Sequence, residues 1–478
     1  MQAMLLLFLA CPEPSPPVVD DSRTDSPVDS TSDDTGDPPD TEDTDTDDPD
    51  DTGDTDTAAP APWGWSGTHD LEEAAALRLA REDEGAGLGF AMAAGDLDGD
   101  GRPELVVSAP LGNLGEPSGG GVHVVSSQLR GSHTLAGGIA GEAPWDYTGQ
   151  AVAVVPDRNG DGRAELFIGA TNHDAGGLDA GAAYLLHGPA GGPLGSAALK
   201  ITGGGQGHYL GGRVGSLDRG LVVGASGASE GAGAVYVFPL ELEGVWSVDR
   251  ADLSVSGLEP GGGLGISVAS ADLDGDGVDE LLAGGPWEYA AEGSGQVVVV
   301  GGEDSGALST DALHGWRGDE DVHLGNALAA GADIDADGYP DALLAAYRDS
   351  TTIEYGGAVY VLGGGSTLPE SLDELPRVTG ETEYGYLGIR VDLFHADGDE
   401  HADLLLGEYG AGTARVVMGP VEGTVEVRFQ GEPSTSAGYT VRSAGDVDAD
   451  GLGDLLVSAW TAPSGGLAFL VLGSGPVE

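Results

Sequence analysis

A unit of about 58 residues recurs along the chain from residue 67 onward, and this repetition constrains the fold more than any other feature. The first copy reads LGFAMAAGDLDGDGRPELVVSAP and continues through a glycine-rich loop to GVHVVSS and HTLAGG. Six equivalent copies follow it. Units of this kind bury their apolar faces against one another, so a single repetitive domain is predicted over residues 67–478.

Each unit contains four short runs of β-forming residues, bounded by glycine or aspartate turns. In the first copy they are GFAMAAGD, ELVVSAP, GVHVVSS and an outer HTLAG. Four antiparallel strands make one blade, and a lone blade leaves both of its faces exposed. Seven blades in a ring cover one another, so the sequence predicts an all-β fold, a seven-bladed β-propeller.

The ring needs one more strand than the seventh copy supplies. That copy ends after its third strand, GLAFLVLG. A segment ahead of the first copy, AALRLARE at 75–82, resembles the outer strand SAALKITGG at 196–204. We therefore predict that this N-terminal strand completes the seventh blade and closes the ring.

Two segments precede the repeats. Residues 1–11, MQAMLLLFLAC, resemble the signal and lipobox of a bacterial lipoprotein, although no basic residue precedes the apolar run. This interpretation predicts export to the cell envelope or surface and a lipid anchor at Cys11; the alternative is a chance apolar start. Residues 12–66 are rich in Pro, Thr and Asp and are predicted to be a disordered acidic tether, which can also aid solubility.

The charge of the chain limits its partners. It carries 18 basic and 81 acidic residues, a net charge of −63, and repulsion therefore excludes nucleic acid as a partner. The anchor at Cys11 is the only membrane contact predicted. Because Cys11 is the single cysteine, no internal disulfide can form, and the stability of an exported protein must then come from packing or from metal.

The pattern D-x-[DN]-x-D-G-x-x-[DE] lies between the first and second strands of most copies. Calcium prefers several hard oxygen ligands: acids at positions 1, 3 and 5 point inward, position 7 offers its carbonyl, and the acid at 9 can bind bidentately. Glycine at position 6 permits the sharp turn. The complete copies supply, at positions 1, 3, 5, 7 and 9, Asp96, Asp98, Asp100, Arg102, Glu104; Asp157, Asn159, Asp161, Arg163, Glu165; Asp272, Asp274, Asp276, Val278, Glu280; Asp333, Asp335, Asp337, Tyr339, Asp341; and Asp446, Asp448, Asp450, Leu452, Asp454.

Five loops in register favour about five calcium sites over chance acidic turns, and the flanking strands do not fit an EF-hand, whose loop is longer and lies between helices. In the third copy the loop shrinks to residues 217–220, a tight hairpin with no room for an ion. The sixth copy has His395 at position 1 and should bind weakly or not at all. It keeps the acids Asp397, Asp399 and Asp403. Since blades form without the pattern, the ions are predicted to be structural.

Two further signatures flank the loop. Gly89-Phe90 precedes it and Ser108-Ala109-Pro110 follows it, with looser versions such as Gly169-Ala170-Thr171 in later copies. The unit resembles the FG-GAP repeat of integrin alpha-chain propellers and their bacterial relatives. The resemblance implies a seven-bladed propeller with calcium on one face and any ligand on the other. Integrin alpha chains load only some later blades, whereas here the first two loops are also complete, so a beta-type partner subunit is not inferred.

The loops on the face opposite the calcium loops hold many aromatic residues, which suit stacking and apolar contact with a glycan, a peptide or a cationic group. The alternative is that they cap the blades and fill the channel. The candidate ligand residues are Trp287, Tyr289, Tyr347, Tyr355 and Trp460. The other aromatic residues assigned to these loops are Trp145, Tyr147, Tyr209, Trp316, Tyr384, Tyr386, Tyr409 and Tyr439.

A surface-tethered, non-enzymatic recognition or adhesion module that binds protein or carbohydrate is the predicted function. Ten histidines without ligand spacing and the absence of an H-E-x-x-H pattern count against an enzyme. Two alternatives stay open. One is a propeller-type hydrolase or lyase acting on a glycan or a phosphodiester, and the other is a purely structural envelope protein.

Overall fold

The computed structural model describes residues 64–188, 192–287, 293–365, 367–421 and 426–475. These residues form seven sheets, one for each sequence repeat, which confirms the seven-bladed propeller. We number the blades 1 to 7 in the order of the repeats. The first strands of neighbouring blades contact one another around the whole ring, and blade 7 contacts blade 1. These strands surround a central channel.

Each blade is an antiparallel sheet whose first strand is innermost. The first strands of blades 1 to 7 are Met92–Gly95, Thr148–Val155, Leu210–Leu217, Ser267–Ala271, Leu324–Ala332, Leu387–Phe394 and Ala437–Gly445. The second strands are Glu104–Ser108, Glu165–Ala170, Gly220–Ala225, Glu280–Gly285, Asp341–Ala346, Asp403–Glu408 and Asp454–Ala459. The third strands are Gly121–Ser126, Ala182–Leu186, Ala234–Pro239, Gln296–Val300, Ala358–Leu362, Thr413–Val417 and Leu467–Val471. The fourth strands are Ile139–Ala140, Leu199–Thr202, Leu253–Ser256, His314–Arg317, Arg377–Thr379, Glu426–Gln430 and Leu77–Ala80.

Helical structure in the described residues is confined to short connections. Four-residue helical segments span Leu71–Ala74 and Ala228–Gly231. The first begins at Asp70, whose carboxylate accepts the backbone N–H groups of Glu72 and Glu73 as an N-cap. The 3₁₀ turns are Leu194–Ser196, Val248–Arg250, Thr310–Ala312, Leu372–Glu374 and Pro433–Thr435.

The N-terminal strand closes the ring as predicted. Leu77–Ala80 pairs antiparallel with the third strand of blade 7 and supplies its fourth strand. The closure extends to residues ahead of it, because Gly64 N donates to Gly473 O at 2.8 Å and the buried Trp65 Nε1 donates to Leu472 O at 2.6 Å. The two ends of the described propeller are therefore held together by backbone and side-chain bonds.

Four blades gain a fifth strand that the sequence did not predict. In blades 2, 3, 6 and 7 it pairs parallel with the fourth strand and comes from the connection that leads to the fourth strand of the next blade. Such pairing covers an outer edge that would otherwise expose unpaired backbone groups. The donated strands are Gly244–Ser247, Gly306–Ser309, Gly67–Asp70 and Gly131–Thr134.

The assignment of HTLAG as the outer strand of blade 1 is therefore wrong. Gly131–Thr134 pairs with Leu77–Ala80 of blade 7, and the fourth strand of blade 1 is only Ile139–Ala140. The reason is that the segment runs along the neighbouring blade before it returns to its own. The available sequence signal was a glycine at the start of each donated strand, with φ between 78° and 84° in the four cases.

The apolar core consists of seven clusters, and each lies between two neighbouring blades. Phe167 of blade 2, for example, packs with Leu221 and Phe238 of blade 3. The closing strand takes part in the same way, since Leu77 and Leu79 join the cluster between blades 7 and 1. Every blade thus contributes to two clusters, and the stability of each depends on an unbroken ring.

Glycine is required where blades approach most closely. The glycine near the start of each first strand has a left-handed backbone, with φ of 90° at Gly211. A Cβ at Gly169, in the second strand of blade 2, would collide with the carbonyl oxygen of Gly211 in blade 3. The same backbone contact joins Gly224 to Gly265 in the next pair of blades. The recurring glycines of the repeat therefore set the distance between blades.

We expect Gly211→Ala to lower the free energy of unfolding by about 2–5 kcal/mol, because left-handed backbone and overpacking both disfavour the added Cβ. Its Cβ would meet the carbonyl oxygen of Ala182. Gly244→Ala is the matched control, since φ there is 84° and a Cβ would have no neighbour within 4 Å. Urea denaturation of both variants measures the difference, and equal losses would contradict the packing argument.

Candidate metal loops and ligand face

The acidic loops lie at one end of the blades, where each first strand turns into the second. Within a loop the acids fold the backbone around themselves. In blade 1, Asp96 Oδ2 accepts Gly101 N–H at 2.8 Å, Asp98 Oδ1 accepts Asp100 N–H at 3.0 Å, and Asp100 Oδ1 accepts Arg102 N–H at 2.9 Å. These bonds curl the loop and bring the carboxylates of Asp96 and Asp98, at positions 1 and 3, close to that of Glu104 at position 9.

Four loops bring three carboxylates together, with one oxygen from each within 4.8 Å of the others. Mutual repulsion makes such clusters costly unless a cation lies between them. In these clusters, two buried oxygens have no hydrogen-bond donor among the described residues, namely Asp272 Oδ1 at position 1 in blade 4 and Asp448 Oδ1 at position 3 in blade 7. Hard anionic oxygens of this kind fit a divalent cation such as calcium. The clusters are Asp96, Asp98, Glu104; Asp272, Asp274, Asp276; Asp333, Asp335, Asp341; and Asp446, Asp448, Asp454.

The acid at position 9 belongs to three of the four clusters and is also hydrogen-bonded to the backbone. Asp454 is fully buried; its Oδ2 accepts Val447 N–H and its Oδ1 accepts Gly473 N–H, both at 2.7 Å. Burial, with the repulsion of Asp448 and Asp450, raises the pKa of Asp454 to about 7. This acid therefore joins the loop to the end of the third strand, and it can turn only its remaining lone pairs toward an ion.

The other three blades differ from this arrangement. In blade 2, the Asn159 side-chain amide donates to Asp161 Oδ2 at 3.2 Å, and Glu165 is fully buried. Blade 3 has a two-residue hairpin, with Leu217 paired to Gly220. In blade 6, His395 Nδ1 is 3.1 Å from the carbonyl oxygen of His401, a contact inside the loop. Among the described residues, carboxylate clusters of the kind found in blade 1 occur only in blades 1, 4, 5 and 7.

Neighbouring loops contact one another across the blade boundaries. Arg163 at position 7 of blade 2 donates from Nε to the carbonyl oxygen of Asp98 in blade 1 at 3.0 Å. Ala164 N–H then donates to the carbonyl oxygen of Asp96 at 2.9 Å. In blade 5, the Tyr339 ring lies over Gly275 of the blade 4 loop. An ion that fixes one loop therefore also restrains the next blade.

The opposite end of the blades carries a continuous series of aromatic side chains, which we call the aromatic arc. It runs through blades 5, 6, 7 and 1, and neighbouring ring centroids are 5.1–6.4 Å apart. Phe90 and Tyr439 are buried and the others are partly exposed. The arc consists of Tyr347, Tyr355, Tyr384, Tyr386, Tyr409, Tyr439, Trp460 and Phe90.

Several aromatic residues on this face hold a left-handed backbone, which is rare for bulky side chains and costs free energy. Tyr384 and Tyr386 both have φ of 56°, and Tyr355 has φ of 48°. Hydrogen bonds hold these segments in place: Tyr386 N–H donates to Tyr355 O at 3.0 Å, and Tyr384 Oη donates to Glu354 Oε1 at 2.7 Å. The rings are therefore presented in fixed orientations.

Charged groups border the arc. The Arg348 guanidinium lies 4.7 Å from the Tyr355 ring centroid and 3.2 Å from Asp321 Oδ2. Tyr355 Oη donates to the same carboxylate oxygen at 3.1 Å. Burial and the charge of Arg348 lower the pKa of the neighbouring His323 to about 4, so its imidazole is neutral at physiological pH. Arg348, Asp321 and Tyr355 are thus paired with one another at this end of the arc.

The candidate ligand residues lie in different places. Tyr347, Tyr355 and Trp460 belong to the aromatic arc, which unites residues 113 positions apart in the sequence. Trp287 lies on the same face against Gly263 in blade 4, and Tyr289 and Cys11 fall outside the described residues.

The assignment of Trp316 to a loop is wrong. It lies in the fourth strand of blade 4, is 4% exposed, and donates from Nε1 to Pro369 O at 3.0 Å. It packs in the core between blades 4 and 5, and its ring contacts that of His314 at a centroid distance of 4.9 Å.

A hydrolase-type pattern, G-x-S-x-G, occurs at 227–231 after the second strand of blade 3. Ser229 is exposed and has a left-handed backbone with φ of 53°. In the part of the chain that the structure describes, no hydrogen bond links Ser229 to a histidine or an acid.

Comparison with known proteins identifies the repeat. The family model described as "FG-GAP repeat" matches residues 88–125, 148–186, 264–300 and 324–362. Integrin alpha-IIb of Homo sapiens is 33% identical over 231 residues, which cover 44% of this chain and 20% of that protein. Integrin alpha-4 of Xenopus laevis is 29% identical over 202 residues, 39% of this chain and 18% of that protein.

A relative of another kind is also found. Phosphatidylinositol-glycan-specific phospholipase D of Bos taurus is 32% identical over 159 residues, which cover 30% of this chain and 18% of that protein. The chain spans about a fifth of the length of the relatives it matches. In the described residues, no helix is long and apolar enough to cross a membrane.

Proposed function

We propose that this chain, an FG-GAP, integrin-alpha-like β-propeller, is a calcium-stabilised recognition or adhesion module that binds a protein or glycan ligand on its aromatic arc. The observation that carries the proposal is the arc itself. It spans four blades, its backbone holds strained conformations, and it lies on the face opposite the acidic loops. Strain of this kind is a cost that binding sites commonly carry.

Calcium is proposed for the acidic loops, at about five sites. The clusters of blades 1, 4, 5 and 7 support it directly, and the loop of blade 2 retains four oxygen-bearing side chains in the same order. Bound calcium would neutralise each cluster and fix the turn between the first and second strands. Its role is structural, because blade 3 forms the same sheet around a short hairpin.

Export and anchoring are proposed from the sequence of residues 1–11, with Cys11 as the lipidation site and residues 12–66 as a tether. A tethered propeller would keep its aromatic arc at a distance from the envelope. Mass spectrometry of the membrane fraction tests this directly, since a diacylated Cys11 is expected at the mature N-terminus.

Substitution of arc residues is expected to weaken ligand binding strongly while the fold is retained. Trp460→Ala and Tyr386→Ala should each weaken binding at least about 30-fold, the effect of losing a central aromatic anchor. The measurement is binding of the calcium-loaded protein to arrays of defined glycans and peptides, followed by affinities for the positive probes. Circular dichroism verifies that each variant is folded.

Trp246→Ala is the matched control. This tryptophan lies on the donated strand at the outer edge of blade 2, where Arg250 covers its ring at 4.6 Å. It should leave binding unchanged. Equal losses in the three variants, or no binding to any probe, would refute the proposed ligand face. Turnover of a bound glycan or phosphodiester would instead favour the enzyme alternative, to which the phospholipase D relative points.

A further inference from the structure

The central channel contains a cavity of about 70 Å³ lined mainly by the first strands of the blades. A cavity needs about 10–15 Å³ of such volume to hold one water molecule, so this space has room for a small oxyanion or carboxylate. Phe90, a member of the aromatic arc, also lines the cavity. The channel therefore adjoins the face proposed to bind ligand.

Among the described residues, the charged side chains that line this cavity are all arginines: Arg213, Arg390 and Arg442. The chain has only 18 basic residues against 81 acidic ones, so three cations in one small space are unexpected. Arg213 and Arg390 occupy equivalent positions of LGGRV and LGIRV in blades 3 and 6, on opposite sides of the ring. The equivalent residues elsewhere are small, and they leave room for both guanidiniums: Ala91, Ala151, Ser267, Ala327 and Thr440.

Protein groups already contact each of the channel arginines. Asp392 lies near Arg442. Burial raises the pKa of Asp392, and the positive charge of Arg442 acts in the opposite direction. Arg213 Nη1 donates to the carbonyl oxygen of Gly212 at 3.0 Å, and Arg442 Nη1 donates to that of Val391 at 3.0 Å. A guanidinium has five N–H donors, so these bonds leave further donors for an anion.

Burial lowers the pKa of Arg213 well below its usual value, and the guanidiniums of Arg390 and Arg442 lower it further. Bringing like charges together in a space screened from solvent costs free energy, which an anion between them would recover. A plug made only to fill the channel would need no charge, since Met or Leu side chains could occupy the same volume.

We propose that the channel binds a small oxyanion, a sulfate or carboxylate group, between the guanidiniums of Arg213 and Arg390. In the complete complex this group is carried by the ligand that lies on the aromatic arc. The inference rests on the proposed ligand face for the source of the anion, whereas the anion site itself depends only on the channel. Paired guanidiniums bind oxyanions through charge-assisted hydrogen bonds.

Equilibrium dialysis with ³⁵S-sulfate, at constant calcium and chloride, tests the channel alone. We expect one sulfate per protein, and Arg213→Met or Arg390→Met should weaken binding at least about tenfold through the loss of charge-assisted bonds. Arg250→Met, which removes an exposed arginine at the outer edge, should leave sulfate binding unchanged. Thermal denaturation confirms that the variants are folded, and two independent channel variants protect the test against misfolding of one.

A second measurement identifies the source of the anion. A sulfated oligosaccharide should bind more tightly than both inorganic sulfate and its desulfated form, and Trp460→Ala should remove that advantage without changing the affinity for inorganic sulfate. Equal affinity for the two oligosaccharides would overturn the ligand-borne source and leave the anion site. Absence of sulfate binding, or equal binding by wild type and both channel variants, would overturn the anion site even if the aromatic arc binds ligand.

Discussion

Deletion of residues 64–82 is expected to unfold the whole propeller. The deletion removes the fourth strand of blade 7 and the donated strand of blade 6, and with them four large buried apolar side chains: Trp65, Leu71, Leu77 and Leu79. Burial of such side chains contributes about 1.5–3 kcal/mol each, so the loss is about 6–12 kcal/mol. Since domains are stable by only about 5–15 kcal/mol, little would remain. Circular dichroism and scanning calorimetry measure the result.

A circular permutant shows whether the deletion destabilises the protein through the loss of these contacts or through the change in the chain itself. Residues 64–82 can be moved to follow residue 475. The strands of blade 7 then follow one another in sequence as those of blade 3 do, where the strand donated to the neighbouring blade comes between the third and fourth strands. Gly64 already bonds to Gly473, so the junction is short. We expect the permutant to fold with near-native stability and a 19-residue deletion of residues 20–38 to have no effect. A stable protein lacking residues 64–82 would contradict the closure argument.

The general architecture could be predicted because its determinants are local and repeated. A period near 58 residues, short β-rich runs and an unpaired segment at 75–82 were enough to predict seven blades and the closing strand. The tight hairpin at Leu217–Gly220 was also visible, because a missing loop changes the spacing. Each of these features lies within one repeat unit, where sequence order and spatial order agree.

The donated strands could not be predicted in this way. Gly131–Thr134 follows the third strand of blade 1 in sequence but pairs with blade 7, and such short polar strands carry almost no apolar periodicity. Their pairing is decided by the parallel edge that the neighbouring blade offers. The initial glycine with positive φ is a signal, but it acquires this meaning only once the ring is known.

The candidate sites show the same difference between features within one repeat and features assembled from several blades. The acidic loops are contiguous in sequence, so their grouping could be predicted, whereas the backbone bonds of Asp454 to Val447 and Gly473 depend on how strands meet. The aromatic arc and the channel arginines depend on the ring. Arg213 and Arg390 come from blades 3 and 6, and nothing in either repeat alone indicates that they face the same cavity. Sites assembled across blades therefore require the structure.

Removal of calcium is expected to destabilise the propeller severely, because several loops and the contacts between them would loosen together. At ten to a hundred times Kd each site contributes about 1.4–2.7 kcal/mol, so five sites total roughly 7–13 kcal/mol. Urea denaturation with calcium and with EDTA, at matched ionic strength, measures this difference.

Calorimetric titration should find about five sites. Combined Asp274→Asn and Asp276→Asn should remove one site, whereas Asp397→Asn in the incomplete blade 6 loop should remove none. No heat of binding, or equal stability in EDTA, would exclude calcium.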